Sequence, residues 1–288
     1  MTEQELQQRR AELWRTDGRP VRTIEDAKAF LDSVGLCLMY PVRALPAVPT
    51  FLGACAGSTA ALPDSRHAFA DPRTQPAIDL MVRLLRSRDA YEVNLLPESS
   101  LLLSAPLFPS VYALLGDRKP KAAPKTKAQG AKLSPLTLKV FDAIEARGPL
   151  STGQLRELVG REMSGAALER ALNELWSILK ITRVDYSQKE GAYWDLLYRW
   201  TPAPVMQGVG ISVPEALSAL IGKYLEAVEA ASQEELEQFF SHLVSGSKVR
   251  EAIHALLAAR QLDFVTVGAK TLVRLAPVAD DARRRSHG

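Results

Sequence analysis

The sequence predicts a mainly α-helical chain with small β-hairpins (α+β), built from winged helix-turn-helix units in tandem. Three observations carry this expectation. The hydrophobic period drops from 3.6 to 2 after Lys180. An order of three helices and a hairpin occurs twice, and a repeat is stronger evidence than either copy alone. Hydroxyl-led capping boxes open helices in both copies.

In the middle copy, Leu136, Val140, Phe141 and Ile144 line one face of a helix that stops at Gly148. Ser151 and Gln154 form a capping box for a short second helix anchored by Leu155 and Leu158. A third helix starts at Ser164, with Leu168, Ala171, Leu172, Leu175 and Leu179 inward, and takes the place of a recognition helix. Ile181 with 184–186 reads as one strand, 192–198 as its partner and 187–191 as the wing tip.

In the last copy, Ser212 and Glu215 open a helix carrying Leu217, Leu220, Ile221, Tyr224, Leu225 and Val228. Ser232 and Glu235 open the next, with Leu236, Phe239 and Phe240. Ser247 caps a third with Val249, Ile253, Leu256 and Leu257. Residues 262–267 and 271–275 then make a hairpin through Gly268 and Ala269.

Upstream, residues 3–15 read as a polar helix docking through Leu6, Leu13 and Trp14. Thr23 and Asp26 open a helix closed by Gly35, and the apolar run 36–40 reads as a buried strand. Residues 43–76 form a long Pro-, Ala- and Gly-rich connection with one short helix at 50–56. A helix at 77–88 turns Arg83, Arg86 and Arg88 outward. A hairpin over 91–96 and 100–103 and a helix ending at Gly116 complete a degenerate winged unit.

The expected division is therefore 20–116, a basic linker at 117–133, a middle unit at 134–202 and a last unit at 211–276. The linker carries Arg118, Lys119, Lys121, Lys125, Lys127 and Lys132 without a large apolar residue, so it reads as a tether or as a basic arm along a phosphate backbone. The tail at 280–288, with Arg283, Arg284 and Arg285, reads as disordered.

Across 288 residues the apolar share is 47%, the charged share 24% and the net charge only +3, so any affinity for nucleic acid has to come from local patches. No signal peptide and no apolar run near the ~20 residues of a membrane span is legible, which predicts a cytoplasmic protein, nucleoid-associated if it binds DNA. Cys37 and Cys55 lack ligand spacing and read as free or buried thiols; His67, His242, His254 and His287 are scattered. No metal or cofactor is expected. The periodicity leaves Arg161, Arg170, Lys180, Arg183, Lys189, Lys248 and Arg250 outward as candidate contacts to a DNA backbone.

Three stretches carry a family resemblance: the runs 148–152 and 171–175 with the exit Arg199-Trp200-Thr201-Pro202; the opening Lys223-Tyr224-Leu225 with Ala255-Leu256-Leu257; and the run from Gly35 to Pro41. In this order the chain resembles the AlkZ/YcaQ-type bacterial DNA glycosylases. The resemblance implies a curved array of winged helices around duplex DNA and excision of alkylated bases. It also places the family's catalytic Gln-x-Gln or Gln-x-Asp pair on Leu38 and Tyr40. Cleavage of an N-glycosidic bond needs a positioned water and stabilisation of positive charge on the sugar. Leucine supplies neither, and a neutral phenol is a poor base near pH 7.

The expectation is therefore a monomeric protein that binds double-stranded DNA at alkylated or distorted sites, with the catalytic pair replaced. Two alternatives accompany it. One is a glycosylase working through another acid, with Asp32, Asp64, Asp71 and Asp79 as candidates. The other is a winged-helix scaffold for a protein partner, which the acid-rich stretch 226–237 would allow.

Overall fold

A computed structural model describes residues 1–42, 44–60, 62–63, 71–94, 99–125, 133–160 and 164–277. It is a mixed structure of helices and small antiparallel sheets. One helix, α1 (Glu3–Leu13), precedes a pattern that occurs twice in full, helix, strand, helix, helix, strand, strand, and a third time without its first strand.

The first repeat comprises α2 (Ile24–Val34), β1 (Leu36–Leu38), α3 (Phe51–Ala56), α4 (Gln75–Ser87), β2 (Ala90–Val93) and β3 (Leu101–Ser104), followed by α5 (Phe108–Leu115). The second comprises α6 (Pro135–Arg147), β4 (Leu150–Ser151), α7 (Thr152–Val159), α8 (Gly165–Ser177), β5 (Ile181–Ser187) and β6 (Gly191–Leu196). After α9 (Leu197–Trp200) and α10 (Pro202–Gly210) comes the third: α11 (Val213–Val228), α12 (Gln233–Phe240), α13 (Gly246–Ala258), β7 (Leu262–Val267) and β8 (Lys270–Leu275).

In the first two repeats the short first strand pairs with the last. The sheet orders are β1-β3-β2 and β4-β6-β5, and in the third repeat Ala231 bridges Val273 of β8 in place of a full strand. The two inner capping boxes expected at Ser151 and Ser232 are both formed, each closing the helix start that follows this strand.

Several local expectations shift. Chain 197–200 is helical rather than the end of a strand, because Arg199 turns back to donate to the carbonyls of Ile144 (2.7 Å) and Glu145 (2.9 Å) at the end of α6. The crossing after Trp200 is the helix α10, started by Pro202 at its first position. It packs on α5 so closely that a Cβ on Gly208 would lie 2.7 Å from the Pro109 carbonyl oxygen. The last helix is capped at Ser245, not Ser247.

The linker expectation is also corrected over its first residues. Tyr112 Oη donates to the Asp117 carbonyl, Arg118 to the Val209 carbonyl, and Lys180 to both Asp117 and the Ala122 carbonyl. The buried ammonium of Lys180, the Tyr112 and Arg118 hydrogen bonds and burial of Pro124 hold this segment; residues 126–132 lie outside the described part.

The repeats share cores. Leu38, Tyr91, Val93 and Leu101 of the first pack with Leu179 and Leu197 of the second and with Leu217, Leu220 and Tyr224 of the third. Separate cores sit inside the first and second repeats. Helix α1 ties the first repeat to the last: Arg10 donates to the carbonyls of Val228 (2.8 Å) and Ala230 (2.6 Å), and Trp14 Nε1 to that of Ala227 (2.6 Å). Leu6 is buried against Val267 and Leu272.

Candidate functional site

The motif strand β1 places Leu38 opposite Leu101, with its side chain in the core shared with α11 and only 1% of it exposed. Tyr40 belongs to the other face of the sheet and is 5% exposed. Its N–H donates to Ser99 Oγ (2.9 Å), and that hydroxyl donates to the Tyr40 carbonyl (3.0 Å). Burial, reinforced by the nearby Glu92 carboxylate, raises the phenol well above its ordinary value, so it stays protonated at neutral pH. Neither position offers a base or an open surface to a water.

The buried acid of the same sheet is Glu92, which comes from β2. It is 2% exposed, accepts from Ser100 Oγ (2.5 Å), and pairs with Arg183 of β5, whose Nη1 lies 3.2 Å from Oε1 and 3.1 Å from Oε2. Trp176 Nε1 donates to the Glu92 carbonyl (3.0 Å). The Arg183 guanidinium also lies over the rings of Trp176 and Trp194, 5.0 and 5.6 Å from their centroids, and those rings meet edge to face at 5.1 Å. The carboxylate is thus consumed by a buried ion pair between two repeats. Sequence reading missed Glu92: an acid inside a short apolar strand was visible, but its partner lies 91 residues away.

The expected cationic contacts divide. Lys180 is corrected from exposed to buried, at 5%, because its ammonium is bound by Asp117 (3.0 Å). Arg183 is corrected from exposed to largely buried, because it faces Glu92 and the tryptophans. Arg170 on α8, Lys189 at the β5–β6 tip and Lys248 on α13 are exposed; Arg250 is exposed and paired with Glu237. Arg161 lies outside the described residues.

Of the candidate acids, Asp64 also lies outside them. Asp32 is exposed on α2. Asp71 chelates Arg73, whose hydrogen bonds hold its carboxyl down at about 2. Asp79 lines a cavity of ≈ 730 Å³ between α4 and the β5–β6 hairpin, with Arg83, Arg86, Tyr186 and Gln188. There Arg86 is paired with Asp185 (2.6 Å).

The family description "DNA glycosylase AlkZ-like" matches residues 69–287, which includes α4, the Glu92–Arg183 junction and both later repeats. The chain belongs to this AlkZ-like family. Its fold is similar to that of the Streptomyces sahachiroi DNA glycosylase AlkZ, at 15% identity and a TM-score of 0.54, over 97% of this chain and 72% of that one. At this identity the likeness is one of fold. No curated protein sequence matches the chain. In this AlkZ-like chain the residues of the exit motif 199–202 hold elements together. Arg199 caps α6, Trp200 carries Arg88 over its ring (4.5 Å), and Thr201 Oγ1 shares a hydrogen bond with Tyr91 Oη (2.6 Å).

Proposed function

We propose that the three repeats are winged helix-turn-helix units and that the protein binds duplex DNA at alkylated or distorted sites without excising a base through the family's motif positions. The recurring order, with the first strand against the last in two sheets and a single bridge at that place in the third, supports the winged reading. One observation carries the loss of excision: Leu38 fills an apolar core, and Tyr40 is a buried, protonated phenol. Exposed Arg170, Lys189 and Lys248 supply backbone contacts, and their modest number suits the net charge of +3.

The test is fluorescence anisotropy of a labelled duplex, plain and with one methylated purine, at two salt concentrations, followed by a base-release assay. Salt-sensitive binding with preference for the lesion and no released base is the expected result. Absence of binding at low salt would discard the reading in favour of a protein partner.

A second reading has one observation in its favour, the placement of Asp79 in an arginine-lined cavity. Under it the protein is a monofunctional glycosylase, and Asp79→Asn abolishes a base release that the wild type performs.

A further inference from the structure

A separate cavity of ≈ 340 Å³ lies between α8 and the β5–β6 hairpin, at the small end of the roughly 300–1,000 Å³ typical of ligand sites. We propose that it receives one unstacked nucleobase of a DNA strand, an inference that rests on the DNA-binding reading above. Leu172, Trp176, Trp194 and Arg183 form its floor, where the guanidinium already lies over the two tryptophan rings and pairs with Glu92, so recognition of the base falls to the polar groups of the wall.

Glu169 and Asn173 stand on the same wall, four residues apart on one helix face. Asn94 Nδ2 donates to Asn173 Oδ1 (3.1 Å), which fixes the amide with its own N–H groups as donors. The Glu169 carboxylate is an acceptor. A donor beside an acceptor matches the edge of a nucleobase, which carries both side by side. Thr152 Oγ1 donates to the Ala192 carbonyl (3.1 Å) and accepts from Trp194 Nε1 (3.2 Å), so it holds the opposite wall in place.

The surroundings favour a nucleic-acid strand over a peptide. The exposed cations Arg170 and Lys189 are close in sequence to the lining residues Glu169 and Gly191, on the same helix and the same hairpin. Such cations suit a backbone track beside a base slot. A base already displaced from the stack enters at least cost, so a bulge is the appropriate probe.

The experiment compares the full chain with its Glu169→Ala/Asn173→Ala variant, using a fully paired duplex and the same duplex with a single bulged 2-aminopurine. Both substituted residues are exposed, and a thermal melt checks that the variant is folded. Wild-type protein is expected to bind the bulged duplex about tenfold tighter and to change the 2-aminopurine emission, as one good set of base contacts would. The variant is expected to lose that preference while binding the paired duplex as before. A wild type without preference, or a variant that retains it, overturns the cavity assignment and leaves duplex binding intact. Failure of both proteins to bind either duplex overturns the DNA-binding reading itself.

Discussion

Glu92 and Arg183 occupy the same place in successive repeats, each the third residue of the strand that opens its hairpin, and they pair with one another across the junction. The equivalent residue of the third repeat, Phe264, is exposed. One repeated position has thus become an ion pair in two copies, and this pair joins the first two repeats. Removal of one partner leaves the other charge buried without this opposite charge.

Glu92→Gln or Arg183→Met is therefore expected to cost about 3–5 kcal/mol, whereas an apolar double replacement costs less. Urea denaturation of the two single variants and the double variant checks this. Additive losses, with the double variant losing the sum of the two singles, would show that the pair itself contributes little.

Placing at Leu38 the polar side chain that the resemblance assigns to this position is expected to harm rather than restore. Leu38→Gln places an amide in the core shared by β1 and α11, at about 1–3 kcal/mol for an unsatisfied polar group. The measurement is the melting temperature together with base release from methylated duplex. A stable variant that excised bases would contradict the geometry.

Lys180→Ala and Lys189→Ala should separate two roles that look alike in the sequence. Loss of Lys180 unpairs Asp117 and removes the bond to the Ala122 carbonyl, so it lowers stability without altering the dependence of DNA binding on salt. Loss of exposed Lys189 leaves stability unchanged and flattens that dependence by about one counterion. Binding titrations over a salt series read the difference.

Stability is expected to fall at alkaline pH. Burial raises the phenols of Tyr40, Tyr91, Tyr112 and Tyr224, that of Tyr112 to about 12. A group whose folded value is raised contributes stability that is full below its unfolded value near 10 and is lost as pH rises toward the folded one. There the unfolded chain binds fewer protons and the slope is negative. Urea midpoints between about pH 9 and 11.5 should decline, and Tyr40→Phe should reduce the slope by up to about one proton.

Much of this was open to reading in the sequence, because the signals involved are local. The capping boxes at Ser151 and Ser232, the helical spacing through 136–144 and 217–228, and the change to a period of two after Lys180 each depend on neighbours a few residues apart. The family was legible for the same reason: its motifs are short runs in a fixed order. What periodicity could not assign is where an outward-facing charge ends. Lys180 and Arg183 follow the pattern of solvent-facing residues, yet each meets a carboxylate, Asp117 or Glu92, brought to it from another part of the chain. The helix α10 was hidden by its two prolines and two glycines, whose close packing on α5 replaces intrinsic preference. The amino-acid sequence by itself determined the capped and periodic elements, their repetition and the family. Only the tertiary structure decided which charges are buried and that Leu38 is a core residue, because burial is set by elements that are distant in sequence and adjacent in space.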